Sequence, residues 1–333
     1  MIGVASLSKR EREALFINTA QKMGMPPAII EKDFWVTYML NYLFHRCSWQ
    51  DRFVFKGGTS LSKAYQLIER FSEDIDLILD WRLLGYKEKE PWEERSNTQQ
   101  DKFNKISEEK TIGFLNKKFI PAIKRDILQE IQGSVDIFLE KWNEPTVVFA
   151  YPQIFSDVSI LQVIRLEIGA LAAWSPSQDV EITSFAAEYY PQVFSKKSTV
   201  IKTAVPERTF WEKVTILHRE ANRKEGRFPE RYSRHYYDLY KMAMGSAKEK
   251  AFSDLNLLKS VVDFKKKFYR CSWANYDEAF PGSMKLIPPE RYFADLQNDY
   301  EKMRNMIYGE KPPFEEIILT IKNLQTEINN LNK

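Results

Sequence analysis

The pattern of apolar and polar positions divides the chain into a first part of mixed helical and strand character and a helical second part. Segments whose apolar residues recur every three or four positions predict helices, and segments in which apolar and polar residues alternate predict strands. In the first 80 residues we predict a helix, a second helix, a strand, a short amphipathic helix and a strand, at about 9–23, 28–44, 52–56, 59–71 and 74–80.

The middle of the chain is predicted to supply further strands. A polar stretch at 85–115 is either a surface insertion or an exposed helix, and a helix at about 116–132 follows it. Four strand-like runs, separated by turn residues, suggest an antiparallel set at 135–142, 145–152, 159–172 and 179–185.

The last third of the chain is predicted to be helical from Pro206 onward, because proline suits the first position of a helix. The helices are expected at 206–223, 230–245, 247–269, 287–306 and 313–332. We therefore expect an α+β fold, with a mixed sheet and flanking helices in domain 1–204 and a helical domain in 205–333.

The composition narrows the class of protein. With 333 residues, 44% of them hydrophobic, the chain can bury a substantial core. Its 49 Lys and Arg nearly balance 46 Asp and Glu, so any nucleic-acid contact must come from a local patch. Two distant cysteines suit a reducing compartment, and the sequence shows neither a signal peptide nor a long apolar run. We therefore expect a cytoplasmic protein without a membrane segment.

Two aspartates on the strand at 74–80 are candidate metal ligands. Side chains alternate along a strand, so Asp74 and Asp76 point to one face, roughly 6.5 to 7 Å apart. Carboxylate oxygens suit Mg²⁺ or Mn²⁺, which would relieve the repulsion between the two charges. By itself this pair of aspartates is more simply the solvated edge of a strand.

The adjacent glycines Gly57 and Gly58 strengthen the functional interpretation. They follow a strand and precede a helix, where backbone N–H groups can bind an anion. The hydroxyls of Thr59 and Ser60 add donors. Neither a Walker loop nor a dinucleotide-binding turn is present. The order of strand, glycine turn, helix and acidic strand therefore predicts a triphosphate site beside a metal site.

The segment FKGGTSLSKAYQLIERFSEDIDL resembles the signature of the nucleotidyltransferase superfamily related to DNA polymerase β, and more closely that of the AbiEii/AbiGii toxin family. The motifs of the family are a Gly-Gly-Thr-x-Leu turn and an Arg-x-Ser-x-Asp-x-Asp strand, matched here by Gly57, Gly58, Thr59 and Leu61, and by Arg70, Ser72, Asp74 and Asp76. The upstream IIEKDFWVTYML and the downstream FWEKV and RHYYDLY also fit, although His235 stands where many members have Asp. We expect the upstream stretch to pack beneath the site, with Lys32 or Asp33 reaching it in a role that the sequence does not assign.

The resemblance implies a metal-dependent transfer of a nucleoside monophosphate from a nucleoside triphosphate. It implies that Mg²⁺ or Mn²⁺ is bound by Asp74 and Asp76. The nucleotide would be held by Gly57, Gly58, Thr59, Ser60, Ser72 and Lys213. Catalysis would depend on Asp74, Asp76, Lys213 and Asp238, with Asp238 either orienting Lys213 or accepting a proton. Through Lys213 and Asp238, the helical domain at 205–333 would complete the active site. Without the resemblance, Lys213 is more simply an exposed helix lysine.

A third carboxylate and a basic segment remain open to two interpretations each. Glu167 lies in an apolar run and is either a third metal ligand or part of an exposed strand face paired with Arg165. Nine basic and five acidic residues lie between Lys202 and Arg234, with tyrosines interleaved. This segment is either a surface for an RNA end or a mixed-charge helix pair.

The resemblance further implies the toxin of a bacterial toxin–antitoxin or phage-defence pair. Its acceptor would be RNA, with tRNA 3′ ends favoured, and its partner a cognate antitoxin. Two alternatives stay open. The same site could modify a protein or a small molecule, or the chain could be a non-catalytic nucleotide-binding module.

Overall fold

The computed structural model describes residues 1–140, 145–157, 160–171 and 176–331. Its first three helices are α1 (Ile2–Ala5), α2 (Lys9–Met23) and α3 (Pro27–His45). The start of α2 is fixed by a capping box, in which the Ser8 hydroxyl accepts the N–H of Glu11 and the Glu11 carboxylate accepts the N–H of Ser8. Gly24, with φ +65°, ends this helix in the left-handed conformation. Both predicted N-terminal helices are confirmed.

Within the described ranges, seven strands form one mixed sheet. In chain order they are β1 (Phe53–Lys56), β2 (Asp74–Leu79), β3 (Asp136–Leu139), β4 (Thr146–Ala150), β5 (Ile164–Gly169), β6 (Ser177–Thr183) and β7 (Ser198–Ala204). Their order across the sheet is β3-β4-β5-β2-β1-β7-β6. Strand β2 runs parallel to β5, and β1 runs parallel to β7, while the other neighbours are antiparallel. The predicted mixed sheet with flanking helices is confirmed.

The expectation of one antiparallel set of four strands is wrong for β6. This strand pairs with β7, which the sequence analysis missed, whereas β3, β4 and β5 form antiparallel neighbours as expected. The side chains of β7 alternate between buried and exposed positions in its middle, but lysine and threonine weaken the apolar signal. The pairing therefore depends on tertiary contacts that the local pattern does not show.

Ten further helices complete the described chain. They are α4 (Gly57–Lys63), α5 (Asn97–Phe114), α6 (Ile120–Ile127), α7 (Phe185–Tyr189), α8 (Pro206–Ala221), α9 (Ser233–Ala243), α10 (Ser246–Ser253), α11 (Leu255–Phe268), α12 (Phe293–Met303) and α13 (Phe314–Asn329). A wide helical turn, Leu115–Phe119, joins α5 to α6. The polar stretch at 85–115 is thus largely a helix, and the helical C-terminal half is confirmed.

Two predicted helices differ from the structure. The helix expected at 59–71 ends at Lys63, and Gln66 adopts a positive φ of 52°, which a continuing helix excludes. The helix expected at 247–269 is two helices, because Asp254 leaves the helical conformation and its side chain accepts the N–H of Leu257 as an N-cap.

The contacts divide the chain into two compact units. The first contains Met1–Ala64 and Phe71–Ala204, and the second contains Tyr65–Arg70 and Val205–Lys333. The sequence analysis places a single boundary at 204, whereas the structure also groups Tyr65–Arg70, which lie between α4 and β2, with the second unit. Among the described helices, none has the length and apolar character needed to cross a lipid bilayer.

The core of the first unit lies between α3 and the sheet. Trp35 of α3 packs against Phe149 of β4, with ring centroids 6.0 Å apart. On another side of α3, Phe34 packs against Phe16 of α2, with ring centroids 5.5 Å apart. All four rings are buried. Burial of large aromatic side chains is the main stabilising contribution here, and it holds α3 directly against the sheet that carries the candidate site.

Candidate active site

The two aspartates lie on the more accessible face of β2. Asp74 and Asp76 are half-buried, while Ile75 and Leu77 between and after them are fully buried. Ser72, two residues before Asp74, is also half-buried. The alternation predicted from the sequence therefore describes this strand, and it places both carboxylates on one face.

The neighbouring strand β5 adds a carboxylate to the same region. In the parallel register of β2 and β5, Asp76 lies opposite Glu167 and Asp74 lies opposite Arg165. Arg165 approaches Glu167 to 3.9 Å, but it forms a closer ion pair with Glu140, at 2.7 Å. Glu167 is therefore beside Asp76 and not tightly paired with Arg165. Its assignment as a metal ligand stays a prediction.

The glycine turn packs directly against the second aspartate. Gly57 has φ +79°, a conformation that side chains disfavour. A Cβ added to Gly57 would lie 1.9 Å from Oδ2, 2.5 Å from Cγ and 2.9 Å from Cβ of Asp76. Only glycine allows the backbone to approach the Asp76 side chain so closely. Gly57, the first residue of α4, is thus in direct contact with Asp76, a candidate metal ligand.

The hydroxyls after the glycines bond within the protein. Thr59 is buried, and its Oγ1 donates to the main-chain carbonyl of Asp74 at 2.5 Å. Ser60 is also buried, and its hydroxyl donates to the carbonyl of Gly57 at 2.8 Å. The bond from Thr59 holds α4 to the start of β2, whereas the bond from Ser60 lies within α4. The backbone N–H groups at the start of α4, which have no partner within the helix, are the better donors for a phosphate.

The acidic side chains suit a divalent cation of the magnesium type. Such ions are often held by one or two protein carboxylates, with water and substrate phosphates as the other ligands. Asp74 and Asp76 supply two carboxylates on one face, and Glu167 lies beside them. Within the described ranges, no three His, Cys, Asp or Glu side chains form a preassembled metal cage. The oxygen donors on this face fit such an ion, and the metal assignment stays a prediction.

In the second unit, Asp238 is the centre of a buried ionic cluster. Its two oxygens accept bonds from Nε and Nη2 of Arg70 at 2.6 and 2.7 Å, and Oδ2 also pairs with Nζ of Lys213 at 2.7 Å. All three side chains are almost fully buried. Burial alone would raise the pKa of Asp238, but the two cations hold it well below its usual range.

The cluster distinguishes between the two roles considered for Asp238. A carboxylate held ionised by two cations is a weak proton acceptor, so the geometry favours orientation of Lys213. Burial lowers the pKa of Lys213, and Asp238 counteracts that effect. The sequence analysis quoted Arg70 as part of the family motif without a role, and the structure gives it one as the bidentate partner of Asp238.

The basic segment is partly neutralised within the second unit. The buried carboxylate of Glu220 accepts bonds from Arg219 at 2.9 Å and from Arg223 at 2.6 Å. Arg223 also lies over the ring of Trp273, 4.7 Å from its centroid. His235 packs edge-on against Tyr232, and burial lowers its pKa well below its usual range. These contacts are those of a histidine that packs within the helical unit.

Comparison with known protein families identifies the family of this chain. A family model described as nucleotidyl transferase AbiEii toxin, type IV toxin–antitoxin system, matches residues 41–319. No curated protein matches the chain. Among solved structures, MenT4, a nucleotidyltransferase toxin from Mycobacterium tuberculosis H37Rv, is 14% identical over 98% of both chains, with a TM-score of 0.44.

A candidate nucleotidyltransferase from H. pylori is 17% identical, covering 98% of this chain and 99% of its own, with a TM-score of 0.35. The family assignment does not depend on these two distant likenesses. It depends on the family model, which matches well over half of the chain and includes both the glycine turn and the acidic strand. The chain therefore belongs to the AbiEii family of nucleotidyltransferase toxins.

Proposed function

We propose that this nucleotidyltransferase toxin uses a divalent cation to transfer a nucleoside monophosphate from a nucleoside triphosphate to RNA, with the tRNA 3′ end as the favoured acceptor. The observation that supports this proposal most directly lies in the first unit. Asp74 and Asp76 share the accessible face of β2, Glu167 lies beside Asp76, and Gly57 packs against the same carboxylate. The glycine turn, which we propose binds phosphate, is therefore in contact with the acidic strand.

Each group has a chemical role in the proposed reaction. Asp74 and Asp76, with Glu167, would hold Mg²⁺ or Mn²⁺, which when bound supplies positive charge near the transferred phosphoryl group. Backbone N–H groups at Gly57 and Gly58 bind the β- and γ-phosphates. The acceptor hydroxyl oxygen forms a bond to the α-phosphorus, the bond to the bridging oxygen breaks and pyrophosphate leaves. The hydroxyl proton passes to a carboxylate on the accessible face of the sheet.

We propose for Lys213 and Asp238 the roles that the family resemblance implies. Lys213 would offset negative charge on the triphosphate, for which a compact ammonium group is suited. Asp238 would hold Lys213 in place through the 2.7 Å ion pair. We also propose that Ser72, which lies on the face of Asp74 and Asp76, contacts the nucleotide.

A loop with exposed basic side chains in the second unit supports the proposed RNA acceptor. The segment between α8 and α9 exposes Lys224, Arg227 and Arg231, with Glu225 and Glu230 interspersed. Exposed lysine and arginine side chains bind phosphates without reading the sequence. We therefore expect a K224Q/R227Q/R231Q variant to bind tRNA more weakly and with a shallower dependence on salt.

The family also indicates the biological setting. A type IV toxin implies an antitoxin partner and a nucleoside triphosphate substrate. We propose that a cognate antitoxin restrains this chain in the cytoplasm and that the pair acts in phage defence. Coexpression with the antitoxin should restore the growth of cells that express the wild-type chain.

The decisive experiment is transfer of label from each α-³²P nucleoside triphosphate to total tRNA with Mg²⁺. Wild type is compared with D74A/D76A and with D179A/E181A, a control that removes two exposed acidic side chains at the same spacing from β6. The proposal is supported if wild type and D179A/E181A label RNA and D74A/D76A does not. Label on protein, or no label while triphosphate still binds, overturns the RNA acceptor. Wild-type transfer by D74A/D76A overturns the site.

A further inference from the structure

Three consecutive charged residues of α3 are buried in the first unit. Glu31 and Lys32 have 0% of their surface exposed and Asp33 has 4%. Charged side chains are almost never so buried unless they are paired. Successive helical residues point about 100° apart, so the three side chains leave α3 in different directions. Each one contacts a different part of the chain, and two of those parts belong to the candidate site.

Lys32 ties α3 to the beginning of the acidic strand. Its Nζ pairs with Oε2 of Glu73 at 3.0 Å, and Glu73 directly precedes Asp74. Nζ of Lys32 also donates to the carbonyl of Leu161 at 2.6 Å, while the N–H of Leu161 donates to Glu73 at 3.0 Å. Leu161 lies three residues before β5. The network thus fixes the starts of both strands that carry the candidate metal ligands.

Asp33 ties α3 to the end of the helix that follows the glycine turn. Its Oδ1 pairs with Nζ of Lys63, the last residue of α4, and its Oδ2 accepts the N–H of Phe185 at 2.8 Å. Lys63 also donates to the carbonyl of Thr183 at 3.0 Å. Because α4 has only seven residues, a fixed end also fixes the orientation of its start at Gly57.

We propose that the Lys32–Glu73 and Asp33–Lys63 pairs are positioning elements of the transfer site, and this inference rests on the proposed function. The first pair sets the position of Asp74 and Asp76, and the second sets the position of the turn at Gly57. Neither pair contacts the substrate. They act because helix α3 is itself fixed by the aromatic core and transmits that rigidity to both parts of the site.

The experiment compares two charge-neutral double variants with wild type. K32M/E73Q removes the first ion pair but keeps an acceptor for the N–H of Leu161, and D33N/K63M does the same for the second pair and Phe185. The control, K124M/D136N, removes an exposed ion pair of the first unit with the same 3.0 Å separation. Urea denaturation identifies variants that fail to fold, and K32R tests rescue by a conservative change.

Three readouts separate positioning from general stability. We expect K32M/E73Q to weaken Mn²⁺ binding, measured with the metal alone by water-proton relaxation, by about 10–100-fold, and to lower kcat at a nearly unchanged KM for the triphosphate. D33N/K63M should instead raise KM for the triphosphate. K32R should recover most of the wild-type behaviour.

The outcomes for this inference differ from those for the proposed function. Folded double variants with wild-type Mn²⁺ affinity and kinetics overturn the positioning role, as does a loss that follows stability alone in both variants. If wild type transfers no label, the proposed function fails, while Mn²⁺ binding by wild type and K32M/E73Q still tests the position of the carboxylates. Weaker Mn²⁺ binding by K32M/E73Q but not by K124M/D136N supports the inference.

Discussion

Replacement of Gly57 by alanine perturbs the contact between the phosphate turn and the acidic strand. The positive φ of 79° costs a residue with a Cβ about 1–2 kcal/mol. The new Cβ would also lie 1.9 Å from Oδ2 and 2.9 Å from Cβ of Asp76. Rotation of the carboxylate alone does not relieve a contact with Cβ, so β2 or α4 must shift. Overpacking of this kind costs about 1–3 kcal/mol.

Gly85 provides the matched control for the cost of the positive φ. It has φ +86°, and a Cβ added there would meet nothing within 4 Å. We expect G85A to lower the free energy of unfolding by about 1–2 kcal/mol and G57A to lower it by about 1–3 kcal/mol more, both measured by urea denaturation. Transfer activity of folded G57A should fall by about 100-fold, because Asp76 is displaced, while G85A should keep wild-type activity.

A double-mutant cycle tests the cause of the difference. In a D76A background the Oδ2 and Cγ contacts are absent, so G57A should cost less there than in wild type by about 1 kcal/mol. If G57A is no more destabilising than G85A, or costs the same with and without the Asp76 carboxylate, the close contact does not control the turn. Wild-type transfer by G57A would lead to the same conclusion.

Three other substitutions follow from the described contacts. R70M leaves the buried Asp238 carboxylate with one cation fewer and should lower the free energy of unfolding by about 3–5 kcal/mol. T59V removes the bond to the Asp74 carbonyl and should cost about 1–3 kcal/mol. Burial raises the pKa of Glu31 from 4.5 to about 7. Between these pH values the folded state therefore binds more protons than the unfolded state. The contribution of Glu31 to stability should therefore fall as pH rises from 4.5 to about 7, and wild type should lose more stability than E31Q over this range in urea titrations.

Controls for these substitutions use weaker versions of the same interaction. K248M breaks the partly exposed ion pair with Glu327 and should cost less than about 1 kcal/mol. S62A removes a longer hydroxyl bond, 3.2 Å to the carbonyl of Thr59, and should cost less than T59V. A cost of R70M as small as that of K248M, a T59V no worse than S62A, or an E31Q variant that loses as much stability as wild type over this pH range would each contradict the corresponding argument.

The acidic strand could be predicted from its sequence because its pattern is local. Asp74 and Asp76 alternate with buried Ile75 and Leu77, and the structure keeps that alternation. Helix starts also have local signals, since Ser8 caps α2 and Pro206 is the first residue of α8. These features depend on neighbours in sequence, which a single chain displays directly.

The end of α4 depends on residues far along the chain. Apolar periodicity continues past Lys63, yet the segment after it pairs with the C-terminal region of the second unit. The carbonyl of Glu69 accepts the N–H of Tyr308 at 2.9 Å, and Arg70 forms a β-bridge with Ile307. Tertiary pairing of this kind overrides local helix propensity.

The partners of Lys32 and Asp33 could not be predicted from the sequence for the same reason. Three adjacent charges on an otherwise apolar helix are visible in the sequence, but their partners Glu73 and Lys63 lie 41 and 30 residues away. Only the fold brings them within bonding distance. A run of charges inside a strongly apolar helix is nevertheless a useful signal of a buried ionic network.

The grouping of Tyr65–Arg70 with the second unit makes the chain poorly suited to dissection. The polypeptide leaves the first unit after Ala64, returns at Phe71 and leaves again after Ala204. A fragment ending at residue 204 would contain Arg70 without Asp238, and a fragment beginning at 205 would contain Asp238 without Arg70. Segments of the two units therefore alternate along the chain, so a single recombination point cannot exchange one unit for another. Engineered hybrids within this family should be joined at three crossings, with the six-residue segment taken from the same parent as the helical unit.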